Sequence, residues 1–354
     1  MKILIIGGTN FIGPYVVSNL VESGHEVTVF HRGNTENDIP ENVRHLHGDR
    51  RDLKGWSFEF KRLRPEVVID MYLMKAADAT LLMDTFKGIA SRVVAISSMD
   101  VYQAYGRLLR IESGPAQPNP LKEDSPLRSV LYPYRGRDKG NQDTEARRSR
   151  ARQGNQSLDL VEYDKVPVEQ IVMAEPDLPA TVLRLPCVYG PGDYQHRLFQ
   201  YLKRMDDGRP AILLNGDMHD WRWTRGYVEN VADAIALAAD DPLSAGHIYN
   251  VGEAEALTEA DWVRAIGRAV GWNGEVIAVS PDLLPYPQPN YDWANHLWAD
   301  TGRIRQELNF KERVSFEHGL LKTATWEREN PPSNIDPTQF DYAAEDAVLN
   351  KIEP

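Results

Sequence analysis

The run Lys2-Ile3-Leu4-Ile5-Ile6 passes directly into Gly7-Gly8-Thr9-Asn10-Phe11-Ile12-Gly13, and this junction constrains the chain more than any other feature. A short continuous apolar run reads as a strand buried on both faces, as in a parallel sheet. The glycines that follow open a segment, 12–23, with helical apolar spacing. In such a strand–turn–helix unit Gly7 permits the tight turn and Gly13 lets the helix approach the sheet closely. Backbone N–H groups at the helix N-terminus then face an anion, such as the pyrophosphate of a dinucleotide. Asn10 stands where related patterns often have glycine, and asparagine tolerates a left-handed backbone. Gly7, Thr9, Asn10, Phe11, Ile12 and Gly13 are therefore the candidate cofactor residues of this turn.

The same rhythm continues along the first half. Apolar runs at 26–30, 43–47, 66–70, 92–97 and 181–185 alternate with helical spacing at 74–90 and 165–175. Repeated units of this kind predict an α/β fold, a doubly wound parallel sheet with a smaller C-terminal α+β lobe. A seventh strand is expected at 247–251, and helices of the smaller lobe at 194–206, 258–271 and 302–309. The expected division is 1–185 plus about 226–251 for the dinucleotide-binding domain, 186–225 and 252–330 for a substrate lobe, and 331–354 for an acidic tail that wraps the surface or moves. Residues 132–160 break the rhythm with Arg135, Arg137, Arg147, Arg148, Arg150 and Arg152. A connection of that length is a lid, a binding insertion or a disordered loop.

Composition excludes several classes. No apolar stretch nears the roughly 20 residues of a membrane helix. A net charge of −12 argues against a broad phosphate-binding surface. The single cysteine, Cys187, excludes an intrachain disulfide framework and fits a reducing, cytoplasmic setting. His45 and His47 alternate on one strand, but the sequence offers no evident third ligand, so no metal site is expected.

Cofactor choice is read at the end of the second strand. An acid there would bond the ribose hydroxyls of NAD; this chain has His31 and Arg32. A guanidinium suits a 2′-phosphate, so the expected cofactor is NADP, with NAD as the alternative. After the third strand, Asp49 and Arg50 are further cofactor candidates. Asp49 can accept from the adenine amino group, or serve as a helix N-cap instead.

Taken in order, GGTNFIG, GDRRD, ISSMDVY (96–102), LRLPCVYGPGD (183–193) and YNVG (249–252) resemble the extended short-chain dehydrogenase/reductase superfamily, the NAD(P)-dependent epimerases and dehydratases. The resemblance runs from residue 1 to about 328. The glycine motif and the tail are similar to an atypical branch that includes chloroplast RNA-binding relatives. The resemblance implies a serine, a tyrosine and a lysine acting together in general acid–base catalysis beside the nicotinamide. Ser98 matches the serine and Lys165 the lysine, which the resemblance also makes a cofactor residue, bonding the nicotinamide ribose. The tyrosine position, four residues before the lysine, holds Val161. Pro167 fits only the first turn of a helix, so the helix is expected to start near Asp164, with Tyr163 just outside it. Tyr163 is thus the first candidate acid–base, and Tyr132 and Tyr134 are the reserves. Arg222, Trp223 and Arg225 fall where the resemblance implies substrate contacts, although Trp223 occupies the usual arginine position.

The implied function is an oxidoreductase, epimerase or dehydratase acting on a sugar-like or nucleotide-sugar substrate. Two rivals stay open: a regulatory protein that binds the dinucleotide without catalysis, and an RNA-binding protein. The expected partner is a small molecule, with no membrane and no nucleic acid, and a homodimer is left open.

Overall fold

The computed structural model describes residues 1–35, 39–136 and 161–352. Seven strands form one parallel sheet: β1 (Lys2–Ile6), β2 (Glu26–His31), β3 (Arg44–His47), β4 (Val67–Asp70), β5 (Arg92–Ser98), β6 (Ala180–Leu185) and β10 (Ile248–Asn250), in the order β10-β6-β5-β4-β1-β2-β3. Every strand of this sheet matches an apolar run expected from the sequence. The order reverses at β1, whose neighbours are β2 and β4, with Ile5 opposite both Val29 and Ile69. In open α/β sheets ligands bind at that reversal, beyond the carboxyl ends of the strands.

Alternate residues of β1 feed two separate cores, which explains its continuous apolar run. Ile3 and Ile5 pack with Val16, Val17 and Leu20 of the Ile12–Glu22 helix. Leu4 and Ile6 pack with Leu82 and Phe86 of the Ala76–Phe86 helix. A helix not anticipated from sequence, Val228–Asp240, covers the first face beside Ile12–Glu22.

The helix carrying Lys165 begins where Pro167 requires. It spans Lys165–Met173, and its N-cap Asp164 accepts from the Val166 N–H at 2.9 Å. Two buried ion pairs fix its position. Arg128 donates to Asp164 at 2.9 Å, and Arg184 of β6 donates to Glu169 at 2.7 Å. Removing one partner of such a buried pair costs about 3–5 kcal/mol, because the other charge is stranded.

The second lobe carries two parallel strand pairs. β7 (Cys187–Tyr189) pairs with β9 (Arg225–Tyr227), and β8 (Ala211–Asn215) pairs with β11 (Glu275–Val279). Helices Phe199–Asp206, Glu259–Val270 and Phe316–Glu329 complete the lobe. The acidic tail is not a loose wrap. It forms the helix Tyr342–Ile352, whose Glu345 is 1% exposed and bonds Arg204 at 2.9 Å. Among the described residues, no helix is long and apolar enough to cross a membrane. Most of the arginine-rich insertion expected at 132–160, including Arg137, Arg147, Arg148, Arg150 and Arg152, lies outside the described residues.

Candidate functional site

A cavity of about 990 Å³ opens at the carboxyl ends of the strands, between the sheet and the second lobe. Gly7 and Gly8 form its floor with φ of 88° and 84°, values that side chains rarely adopt. Gly13 lies against the turn itself: a Cβ there would sit 2.4 Å from the Gly8 backbone. Thr9, Asn10, Phe11 and Ile12 all line the cavity. The left-handed residue in the turn besides its glycines is Phe11, at φ 50°, and not Asn10. That corrects the expectation from asparagine's tolerance: the strained position is the helix N-cap, one residue later.

Arg32 is exposed and lines the wall at the end of β2. Asp49 also lines the wall, but Arg51 grips it. Its carboxylate caps the Arg51 N–H at 2.9 Å and accepts from Arg51 Nε at 3.0 Å. These bonds hold the Asp49 carboxyl down at about 2. Asp49 thus fills the N-cap role, the alternative allowed by its sequence. Arg50 borders the cavity while bridging Asp70 at 2.6 Å and Asp78 at 2.7 Å. This double pair ties the chain after β3 to the end of β4 and to the Ala76–Phe86 helix.

At the end of β5 the cavity wall holds Ser98, Asp100 and Tyr163. Ser98 ends the strand and its Oγ accepts from the Asp100 N–H at 3.2 Å. Tyr163 is 8% exposed, and its phenol donates to Asp100 Oδ2 at 2.7 Å. Asp100 Oδ1 is buried without a hydrogen-bond partner among the described residues. Asp100 was not among the sequence candidates; the signal available was its place two residues after Ser98 in ISSMDVY. Val161 is 42% exposed and precedes the helix, so the usual tyrosine position faces away. Tyr134 lines the same wall, 2.8 Å from the Tyr105 hydroxyl, with its ring 5.4 Å from that of Tyr163. Tyr132 sits under the Arg135 guanidinium and is not a wall residue.

Lys165 stands behind this wall. Its ammonium donates to the carbonyls of Leu73 and of Ile96, the latter at 2.9 Å, and lies 5.9 Å from the Tyr163 ring centroid. Burial pulls its pKa down to about 8, and nearby Asp100, Asp70 and Asp78 oppose that shift.

The structure separates the three expected substrate residues. Trp223 lines the cavity, within an aromatic wall that includes Trp221 and Trp293. Arg222 turns away to the Ala256 carbonyl at 2.7 Å. Arg225 is buried against Glu259 at 2.5 Å. Neither arginine reaches the cavity, because each neutralises a polar group of the lobe's own packing. The second-lobe arginines that do border it are Arg197, paired with Asp193 at 2.6 Å, and Arg204.

The fold and this glycine cradle agree with what the chain is similar to. A model of the NAD dependent epimerase/dehydratase family matches residues 3–126 and 162–252, more than half of the chain. The chain belongs to the NAD dependent epimerase/dehydratase family. Within the family it is 30% identical to dTDP-glucose 4,6-dehydratase of Streptomyces niveus, over 43% of each chain. That match spans less than half of the dehydratase. It is 21% identical to the chloroplast stem-loop binding protein of 41 kDa b of Arabidopsis thaliana, over 99% of this chain and 84% of that protein. Its fold matches UDP-glucose 4-epimerase of Thermotoga maritima, with a TM-score of 0.65, 19% identity, and coverage of 93% of this chain and 99% of that one. The residues present suit the family's cofactor. Two left-handed glycines and a helix N-terminus make the anion cradle, and Asp100 Oδ1, buried without a partner among the described residues, stands on the wall at the end of β5.

Proposed function

We propose that this family member moves hydride between a nicotinamide dinucleotide, NADP in preference to NAD, and a hydroxyl or carbonyl of a sugar-like substrate. The pairing of the Tyr163 phenol with Asp100 on the cavity wall beside Ser98 carries this reading. The nicotinamide, when bound, supplies the hydride acceptor or donor. The chain's residues handle the proton. Ser98 Oγ orients the substrate oxygen. Tyr163 Oη takes the proton of a substrate hydroxyl while passing its own to Asp100 Oδ2, and reverses both moves on reduction. The Lys165 ammonium favours negative charge developing on the phenol, more strongly in this buried setting than in water. The turn Gly7–Gly13 would hold the pyrophosphate, and Arg32 a 2′-phosphate. Trp223 offers a face for a sugar ring, and Arg197 a cation for a nucleotide diphosphate at the cavity's far side. The relatives named for dTDP-glucose and UDP-glucose favour a nucleotide-sugar. The lone buried Cys187 favours a reducing, cytoplasmic setting.

The test is incubation of the full chain with NADP⁺ or NAD⁺ and a panel of UDP- and dTDP-sugars, with products read by NMR. A changed sugar that requires Tyr163 supports the reading. A second reading, RNA binding, is favoured by the stem-loop binding relative matched over nearly the whole chain. The charge of −12 opposes it. Filter binding at physiological salt decides: submicromolar RNA affinity would support that reading.

A further inference from the structure

Three histidines meet outside the chemical end of the cavity. β2 and β3 pair in parallel with His31 opposite His47 and Val29 opposite His45. Paired residues in a sheet project from the same face, and so do residues two apart on one strand. His31, His45 and His47 therefore emerge together at the carboxyl edge. One donor atom of each lies within 4.8 Å of the others, and no other such group of three occurs among the described residues. The sequence showed His45 and His47 on one strand; the third member, on the neighbouring strand, needed the register.

We propose that His31, His45 and His47 form a site for a divalent transition-metal ion of the Zn²⁺ or Co²⁺ type. Three neutral imidazoles and a water make the usual open tetrahedral set for such ions, whereas Mg²⁺ and Ca²⁺ prefer oxygen. The three histidines already hold most of the geometry. His31 Nε2 and His45 Nδ1 lie 2.7 Å apart and share a proton. Zn–N bonds of about 2.0–2.1 Å at the tetrahedral angle put such nitrogens about 3.3 Å apart, so the pair opens by roughly half an ångström. His47 supplies the remaining adjustment. It is exposed, and its ring rests over Gly33, which has no side chain to obstruct it.

Protons and tautomers balance as follows. In the metal-free pair, the Gly33 N–H donates to His31 Nδ1 at 3.2 Å, so His31 carries its proton on Nε2 and offers it to His45. On binding, that proton moves to His31 Nδ1 and Nε2 becomes a ligand. Two hydrogen bonds are given up, the 3.2 Å bond from Gly33 and the 2.7 Å bond between the imidazoles, and two metal–nitrogen bonds replace the second. His45 keeps its proton on Nε2 and coordinates through Nδ1. His31 is 7% exposed and lines the cavity wall next to Arg32, so the ion would add positive charge at the end of the cavity remote from Tyr163. The site stands on the histidines alone, and its test does not depend on the proposed chemistry.

The experiment uses the full chain without a polyhistidine tag, freed of metal by a chelator and titrated with Co²⁺, then with competing Zn²⁺. The expected result is a saturating visible spectrum of tetrahedral intensity at one equivalent, displaced by Zn²⁺ and unaffected by Mg²⁺. His31→Gln, His45→Gln and His47→Gln should each weaken binding at least about ten-fold. His25→Gln, away from the cluster, should bind as the parent does. His47→Gln is the decisive variant because its side chain is exposed, and its metal-free thermal unfolding should match the parent. No saturable one-equivalent spectrum, or parent-like binding by His47→Gln and His45→Gln, overturns the proposal.

Discussion

The Tyr163 phenol donates to Asp100 Oδ2 at 2.7 Å, while Asp100 Oδ1 has no partner among the described residues. A phenol and a carboxylate are thus joined at the wall of the cavity, with one carboxylate oxygen open among the described residues. Tyr163→Phe and Asp100→Asn are each expected to lower turnover by about 100- to 10,000-fold while cofactor affinity stays within a few-fold of the parent. Turnover by NMR product assay, with cofactor binding by fluorescence, checks both. A fully active Tyr163→Phe would remove Tyr163 from the mechanism and leave Tyr134 as the next phenol to change.

The buried ammonium of Lys165 predicts opposite pH trends for stability and activity. Its pKa is near 8 in the folded chain and 10.5 unfolded. The burial penalty is therefore full below pH 8 and gone above 10.5, since the unfolded chain binds more protons across that window. Stability from this group rises with pH there, by up to about 3 kcal/mol. Turnover that depends on the ammonium falls as pH passes 8. Urea unfolding and turnover against pH, for the parent and Lys165→Met, should show the stability rise flattened in the variant.

Arg32 controls the choice between cofactors if it meets the 2′-phosphate. Arg32→Asp is expected to shift the NADPH/NADH affinity ratio toward NADH by about ten-fold or more, the scale of one charge-assisted hydrogen bond. Fluorescence titration with both cofactors measures it. An unchanged ratio would mean that Arg32 is only a surface side chain.

Gly13→Ala tests the cradle by adding one methyl. The new carbon would lie 2.4 Å from Gly8, so backbone must move. Overpacking of this kind costs typically about 1–3 kcal/mol. The expected result is a lower melting temperature and dinucleotide affinity reduced together, read by thermal unfolding and titration.

Glu345 joins the tail to the second lobe through Arg204, and both side chains are buried. Arg204 also stacks over Phe340 at 4.8 Å. Glu345→Ala leaves that guanidinium without its carboxylate and is expected to cost about 3–5 kcal/mol, seen as a lowered denaturation midpoint.

The sheet was legible because its strands are buried on both faces and announce themselves as apolar runs. Asp164 and Pro167 likewise placed the start of the Lys165 helix near Asp164, its N-cap. Other features depend on contacts between distant segments. The third histidine needed the pairing of β2 with β3. The roles of Arg222 and Arg225 turned on Ala256 and Glu259, more than thirty residues away. The tail read as an acidic, proline-punctuated segment that wraps the surface or moves; the burial of Glu345 follows from Arg204, which no local pattern discloses.

The tail has a further consequence for how the molecule is made. Gln339 forms part of the cavity wall and its carbonyl accepts from Arg204 at 2.6 Å. The glycine turn at the opposite side of that cavity is translated more than three hundred residues earlier. During synthesis the sheet and its cradle can therefore assemble while the pocket still lacks this lining residue. A ribosome-bound chain ending before Gln339 would lack the carbonyl that holds Arg204 at the cavity's border, and that contact waits for one of the later segments to emerge.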